Sequence, residues 1–217
     1  MPVITPTPNQ LRHIASEIGL SLTEADAVSF IALMGSCVDA YNELDQLPEN
    51  LPQVRYPRTS GQRPSPEENR YNAWYYKTRV EGAPQGKFKG KTVVLKDNVM
   101  LAGVPMMNGA SILEGYIPDM DATVVTRILD AGGTILGKAH CEYYCASAGS
   151  HTNSAGFVRN PYRVDYTSGG SSSGCAVLVA LGEVDMAIGG NQGGSIRIPS
   201  SILRHLRHET YPRIGSL

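Results

Sequence analysis

The sequence has no excess of charge, no long apolar run and few cysteines. Its 217 residues carry 19 Lys and Arg against 20 Asp and Glu, for a formal net charge of -1. A nearly neutral chain gives no reason to expect a nucleic acid or an anionic membrane as a partner. No apolar run is long enough to cross a bilayer, and the residues from Met1 onward lack the pattern of a secretory signal. We therefore expect a cytoplasmic protein with neither kind of partner.

The cysteines are few, and their spacing fits neither a zinc site nor a dense disulfide framework. The four cysteines are Cys37, Cys141, Cys145 and Cys175. Their spacing fits no zinc motif, so we expect reduced thiols and no bound metal. Cys141 and Cys145 would lie one helical turn apart if that stretch is helical. We interpret this pair as small core-filling residues rather than as metal ligands or a redox couple.

What remains is the composition of a globular protein, with 41% hydrophobic and 18% charged residues. Residues 1–47 are predicted to be helical, because Leu11, Ile14 and Ile18 recur at helical spacing before Gly19. A capping box of Ser21 with Glu24 is expected to begin a second helix. The apolar stripe of that helix consists of Phe30, Met34, Val38 and Tyr41.

The composition changes at residues 48–90, which are rich in proline and polar residues and are predicted to form a surface connector. Residues 91–201 then alternate between strands and helices, which favours an α/β layered domain. The helix before Gly132 is expected to be capped by Asp121. The other predicted elements are the strands Thr92–Lys96, Thr134–Leu136 and Met186–Ile188 and the helix Cys175–Leu181.

Two glycine clusters that contain serine carry the clearest chemical signal. They are Gly169–Gly174, which includes Ser171, and Gly193–Pro199, which includes Ser195. Glycines beside a serine let backbone N–H groups approach a substrate and leave the hydroxyl uncovered. Upstream, Lys96 ends a buried strand, where desolvation can make a lysine a neutral base. Together these residues indicate an acyl-transfer enzyme.

Two other interpretations of the motifs are weaker. Residues 170–174 also fit the nucleophile elbow of α/β-hydrolases with Ser172 as nucleophile, but the preceding residues are too polar for the required strand. The later histidines that this mechanism needs, His205 and His208, lie within residues 202–217, which we interpret below as a frameshifted tail. A phosphate-binding loop ending at Lys91 is excluded, because Gln85 stands where its first glycine should be.

The same residues closely resemble the amidase signature family of Ser–cis-Ser–Lys hydrolases, and most closely the amidases that accompany nitrile hydratases. Ser171 and Ser195 are separated by 24 residues, as the family pattern requires. The resemblance implies an α/β/α layered fold with a mixed central sheet, incomplete here, after an N-terminal helical segment. It extends over Lys91–Asn98, Val104–Gly109, Asp121–Val125, Ala131–Lys138 and Gly189–Pro199.

Carried over to this sequence, the resemblance implies a role for each residue. Ser195 is the nucleophile, Lys96 is the neutral base, and Ser171, after a cis peptide bond from Gly170, relays the proton between them. The oxyanion hole is expected from the backbone N–H groups of Gln192, Gly193, Gly194 and Ser195. No metal or organic cofactor is implied.

The resemblance also implies partners and one departure. The substrate is expected to be a small-molecule amide, and the N-terminal helices are expected to form a homodimer contact. Asn191 stands where the family usually has aspartate, and we expect it to hold Arg197 without charge assistance.

The resemblance ends abruptly near Ser200. Permitted codons for residues 202–217, read one base later, encode Ser-Cys-Gly-Ile-Cys-Gly-Met-Lys-Pro-Thr-Arg-Gly-Leu-Val-Pro, which is the continuation expected for the family. We therefore interpret residues 202–217 as a frameshifted tail and the chain as truncated, with little amidase activity. One alternative is a non-catalytic fragment that pairs with an intact copy of the enzyme. A less favoured alternative is a subunit of the amidotransferase A type.

Overall fold

The computed structural model of the protein describes residues 3–48 and 51–205, which fall into two compact units, Met1–Leu51 and Pro52–Leu217. The first unit consists of helices α1 (Pro8–Glu17) and α2 (Glu24–Leu44). Each begins at a threonine whose hydroxyl accepts a backbone N–H three residues later. The predicted capping box of Ser21 with Glu24 is wrong, because Thr23 is the N-cap residue of α2. The Asp26 carboxylate completes the capping box by accepting the Thr23 N–H at 3.0 Å.

The predicted apolar stripe of α2 is largely open to solvent. Phe30 is 48% exposed and Tyr41 is 57% exposed, while Met34 and Val38 are half-buried. The homodimer through these helices stays a prediction. In the part of the chain that the structure describes, no helix combines the length and apolarity needed to cross a membrane.

The second unit contains a mixed four-stranded sheet in the order β1-β3-β2-β4. Its strands are β1 (Trp74–Glu81), β2 (Thr92–Lys96), β3 (Thr134–Ala139) and β4 (Met186–Ile188). Strand β2 pairs in parallel with both β3 and β4, whereas β1 is antiparallel to β3. The α/β fold with a mixed sheet is therefore confirmed. Strands β2 and β4 have the predicted bounds, and β3 continues past Leu136 to Ala139.

Strand β1 corrects the prediction that all of residues 48–90 form a surface connector. Trp74, Tyr75 and Val80 are buried, and β1 lies against β3 over its length. The prolines that suggested a connector lie mostly before residue 67, whereas the strand itself is rich in aromatic and β-branched residues.

Helices cover both faces of the sheet because side chains alternate along β2. Val94 packs toward α4 (Ser173–Ala180), while Val93 and Leu95 pack toward α3 (Thr123–Asp130) on the opposite face. Helix α4 begins two residues before its predicted start. This arrangement gives the predicted α/β/α layers.

Asp121 does not cap α3 as predicted. Ala122 is the N-cap residue and makes no side-chain cap bond. The buried Asp121 carboxylate instead accepts from Arg58 Nη1 at 2.6 Å and from the Ala102 N–H at 2.9 Å. It thereby ties the segment before β1 to the loop after β2.

The predicted frameshifted tail overlaps the described fold at its start. Helix α5 (Arg197–Ile202) includes Ile202, and the next residue, Leu203, is fully buried in the cluster beneath α4. These two residues therefore belong to the folded unit. Residues 206–217 of the tail lie outside the described residues, and the frameshift stays a prediction.

Buried His140, directly after β3, gives a pH-dependent stability. Its ring lies 3.1 Å from Asn153 Nδ2, and burial lowers the pKa of His140 from 6.5 to about 3, with a smaller contribution from the charge of Arg63. Between these values the unfolded chain binds a proton that the folded chain does not. The free energy of unfolding should therefore fall as the pH falls from about 6.5 toward 3, by up to about 1.4 kcal/mol per pH unit.

Urea unfolding at several pH values between 4 and 7, about the range in which His titrates, would measure this slope. His140→Gln keeps a polar side chain without a titrating ring and should give a shallower slope. Equal slopes for the two proteins would contradict the prediction.

Candidate active site

The candidate site lies where the parallel strands end. Lys96 is the last residue of β2, and Gly189 and Gly190 follow directly after β4. Because β2, β3 and β4 are parallel, their carboxyl ends share one edge of the sheet. Lys96 is only 1% exposed, and its Nζ lies 3.4 Å from the Gly190 carbonyl oxygen. The sheet thus buries the amine of Lys96 at this edge.

Ser171 meets this amine from the loop before α4. The Lys96 Nζ and Ser171 Oγ atoms are 2.7 Å apart, and Ser171 is fully buried. The peptide bond between Gly170 and Ser171 is cis, as expected from the sequence. A Cβ on Gly170 would overlap the Gly149 carbonyl oxygen, so only glycine fits there. The structure therefore brings Lys96 and Ser171 together.

Helix α4 holds this loop against the sheet through its own backbone. A Cβ on Gly174 would overlap the Ala73 carbonyl oxygen and lie 2.7 Å from that of His140. The Gly174 N–H also donates to the His140 carbonyl at 2.9 Å. The first turn of α4 therefore contacts the strand ends without an intervening side chain.

The main chain of Ser195, rather than its hydroxyl, is hydrogen-bonded next to the Lys96–Ser171 pair. It occupies the turn before α5, and its carbonyl oxygen accepts the Ser172 N–H at 3.2 Å. Within residues 3–48 and 51–205, no hydrogen bond joins the Ser195 hydroxyl to Ser171 or Lys96. The backbone segments of the three residues thus converge, while the third hydroxyl stays outside the bonded pair.

Ser172 is poorly placed to act as a nucleophile. It is only 3% exposed, and its hydroxyl lies 3.3 Å from the Gly190 carbonyl oxygen. The residues before it form no strand. The geometry therefore gives no support to a nucleophile elbow.

The predicted oxyanion hole needs one correction. The Gly194 N–H donates to Asn191 Oδ1 at 2.7 Å, so this donor is already used within the loop. Asn191 closes the turn in this way, and its expected bond to Arg197 stays a prediction. The N–H groups of Gln192, Gly193 and Ser195 also stay predicted donors, and Gln192 and Gly193 are exposed.

A buried ion pair supports the end of β2. Asp97 and Lys138 are both 0% exposed, and Lys138 Nζ lies 3.0 Å from Asp97 Oδ1. The other carboxylate oxygen accepts the N–H groups of Met107 and Asn108 at 2.9 and 2.7 Å. Burial raises the pKa of Asp97, whereas the charge of Lys138 and these N–H donors lower it. Sequence reasoning missed this pair, although a lysine inside the apolar pattern of β3 was a signal.

Glu142 connects the loop that contains Ser171 to residues 151 and 152 through hydrogen bonds. Its buried carboxylate accepts the His151 and Thr152 N–H groups at 3.0 and 2.9 Å and the Thr152 hydroxyl at 2.7 Å. Its own N–H donates to the Ser171 carbonyl oxygen at 3.1 Å. Glu142 was also missed, because a single glutamate in an irregular stretch has no distinguishing pattern.

Sequence reasoning also misjudged Cys145. Cys141 is buried, as expected for a core residue, but Cys145 is half-buried, and Lys96 and Ser171 are near enough to lower its pKa. The expected helix is a short 3-10 turn in which Tyr144 and Cys145 have positive φ angles of 44° and 61°. Among the described residues, no cluster of three or more His, Cys, Asp and Glu could hold a metal ion.

Comparisons with known proteins give matches in sequence and in structure. A family model described as Amidase matches residues 59–204. An enantioselective amidase of Rhodococcus rhodochrous is 42% identical over 196 residues, which are 89% of this chain and 38% of that protein. The A subunit of the glutamyl-tRNA(Gln) amidotransferase of Haloarcula marismortui is 43% identical over 131 residues, 60% of this chain and 31% of that protein.

Two solved structures resemble the fold. The A subunit of the glutamyl-tRNA(Gln) amidotransferase of Thermotoga maritima has a TM-score of 0.54 at 35% identity, over 56% of this chain and 27% of that one. The peptide amidase of Stenotrophomonas maltophilia has a TM-score of 0.50 at 38% identity, over 53% of this chain and 24% of that one. The chain thus spans less than two fifths of the length of these curated relatives and about a quarter of these solved chains.

Proposed function

Since this chain belongs to the amidase family, we propose that it hydrolyses the C–N bond of carboxamides to a carboxylic acid and ammonia through Lys96, Ser171 and Ser195, at the low rate expected from its sequence. The observation that carries the proposal is the buried contact of 2.7 Å between Lys96 Nζ and Ser171 Oγ. An isolated buried lysine would be costly, whereas a lysine aligned with a serine hydroxyl can transfer a proton.

The proposed reaction begins at Ser195. Its hydroxyl attacks the amide carbonyl while its proton passes to Ser171, and the proton of Ser171 passes to the neutral Nζ of Lys96. The negative charge on the carbonyl oxygen is stabilised by the N–H groups of Gln192, Gly193 and Ser195. Collapse of the intermediate breaks the C–N bond, and the relay returns the proton to the leaving ammonia. Water then releases the acid from Ser195 by the same route.

The structure also suggests why a relay is needed. Lys96 is buried under the sheet edge, whereas Ser195 is part of a more exposed turn. Ser171 lies between the strand end and that turn, because its neighbour Ser172 is hydrogen-bonded to the Ser195 carbonyl oxygen. A hydroxyl at this position can accept one proton and donate another within a single step.

A second candidate function is transfer of an amide nitrogen to an acylated tRNA. It is favoured by the 43% identity to the Haloarcula marismortui amidotransferase. The net charge of -1 argues against it, because tRNA binding relies on contacts from basic residues to phosphates. The same relay would serve either reaction, so the two functions differ in the acceptor of ammonia.

The test is to incubate the purified protein with simple aliphatic and aromatic amides and to measure acid and ammonia in equal amounts. Hydroxylamine should intercept the acyl-enzyme and yield the corresponding hydroxamate. A parallel reaction with glutamine and glutamyl-tRNA tests the second candidate. If no amide yields acid, ammonia or hydroxamate, the proposed hydrolysis is wrong for this chain.

A further inference from the structure

We propose that Cys145 is a covalent modification site, at which a peroxide oxidises the thiol and Cys141 then captures it as an intramolecular disulfide. The proposal goes beyond amide hydrolysis, because it concerns a thiol that the proposed reaction does not use. It depends on where these two thiols lie with respect to each other and to Lys96.

The two thiols share one hydrogen-bond acceptor. The Sγ atoms of Cys141 and Cys145 lie 3.5 and 3.3 Å from the same Asn108 Oδ1. The two thiols are also near enough to shift each other's pKa in opposite directions. The positive φ angles at Tyr144 and Cys145 turn the chain back on itself, so two residues four apart meet without a helix. The sulfurs are therefore already neighbours before any reaction.

The surroundings of Cys145 favour a thiolate. The hydrogen bond from Cys141, followed by Lys96 and Ser171, lowers the pKa of Cys145 to about 6, against the effect of burial. The same hydrogen bond, together with burial, raises the pKa of Cys141. Asp97 lies close enough to raise the pKa of Cys141. One thiol is thus the nucleophile and the other keeps its proton, as a reactive thiol and its resolving partner require.

The two sulfurs also differ in solvent accessibility, and the thiol with the lower pKa is the more accessible one. Cys145 is half-buried and can be reached by a small reagent, whereas Cys141 is fully buried. Cys175 is also buried, and burial raises its pKa to about 12, which leaves it unreactive. Cys37 is exposed on α2 and serves as an internal reference for an accessible thiol.

The chemistry balances with a peroxide as the oxidant. The Cys145 thiolate attacks one peroxide oxygen, the O–O bond breaks, and the sulfur becomes a sulfenic acid while hydroxide leaves and takes up a proton as water. The Cys141 thiol then attacks that sulfur, the S–O bond breaks, and water leaves as the disulfide forms. The thiols lose a pair of hydrogen atoms, and two molecules of water are produced.

Oxidation should also stop amide hydrolysis, a consequence that rests on the proposed function. Lys96 and Ser171 are near enough to Cys145 to lower its pKa, so a new S–O or S–S bond changes the surroundings of the proton relay. The chemical readout below does not need turnover, and therefore separates failure of this proposal from failure of the proposed function.

The experiment treats the purified protein with hydrogen peroxide and maps cysteine states by non-reducing peptide mass spectrometry. We expect a disulfide between Cys141 and Cys145 to appear before oxidation of Cys37, and to be reversed by dithiothreitol. Cys141→Ser should accumulate sulfenic and sulfinic acid at Cys145. Cys37→Ser is the matched control and should behave as the parent.

Lys96→Met tests the role of the lysine without any assay of activity. It should slow the reaction of Cys145 with peroxide at pH 7 by roughly tenfold or more, because Lys96 is one of the groups that lower the pKa of Cys145 and a methionine side chain cannot replace it. Faster oxidation of Cys37 than of Cys145, or an unchanged rate in folded Lys96→Met, would overturn the proposal. Circular dichroism of each variant establishes that it is folded.

Discussion

Replacing Ser195 by alanine should lower kcat for amide hydrolysis by about 10⁴-fold or more, with a much smaller change in KM. The hydroxyl is the only group in the proposed reaction that forms a bond to the substrate, and no neighbouring serine can replace it. Ser171 is fully buried against Lys96, and Ser172 is buried with its hydroxyl on the Gly190 carbonyl. The backbone N–H donors stay in place, so substrate binding should largely persist.

The measurement is a steady-state assay of ammonia release, together with hydroxamate formation as a direct readout of the acyl-enzyme. Ser201→Ala is the matched control, because Ser201 is an exposed serine in the adjacent helix α5. It should retain the parent rate. Hydroxamate formation by Ser195→Ala at the parent rate would contradict the assignment of the nucleophile.

The same logic applies to the base. Lys96→Met should cost about as much as Ser195→Ala, and the double variant should be no worse than either, because residues that act as one unit do not contribute additively. Lys89→Met is the control for lysine loss, since Lys89 is exposed and outside the site. Additive losses in the double variant would mean that the two residues act in separate steps.

Lys138→Met should lower the free energy of unfolding by about 3–5 kcal/mol, because it leaves the buried Asp97 carboxylate without its counter-ion. Both side chains are fully buried and 3.0 Å apart, and water cannot replace the ammonium. The two N–H groups of residues 107 and 108 still bind the carboxylate, but they carry no full charge. Urea unfolding of the parent and the variant gives the difference.

Two further variants make this test specific. Lys138→Met combined with Asp97→Asn removes the unpaired charge and should recover part of the lost stability. Lys91→Met breaks an exposed pair with Asp185 of the same length, 3.0 Å, and should cost less than about 1 kcal/mol. A loss for Lys138→Met as small as that for Lys91→Met would show that the buried pair does not stabilise the fold as argued.

The sequence predicts the parts of the fold whose pattern is local. Strands β2 and β4 could be bounded to the residue, because short β-branched or apolar runs lie between polar and glycine-rich segments. The resemblance to the amidase signature family also implies that Lys96 and Ser171 meet, although 75 residues separate them.

Other features depend on partners that the sequence does not reveal. Strand β1 lies in a segment whose prolines dominate its composition, and its burial comes from pairing with β3. Asp121 lies one residue before the N-cap position of α3, and its carboxylate binds Arg58, 63 residues earlier. Cys145 was misjudged because helical spacing was assumed where two residues adopt positive φ. In each case a tertiary contact outweighs the local preference.

The contact at Gly174 has a consequence for how this site can vary. Since main chain touches main chain there, the separation of α4 from the strand ends is set by backbone contact and a backbone hydrogen bond and not by the sizes of core side chains. Changes to Val177 or Leu178, deeper in the same helix, can alter the stability of the layer while the lysine-to-serine distance is conserved. The hydrophobic residues of the interior can therefore differ between relatives without a change in the distance between Lys96 and Ser171.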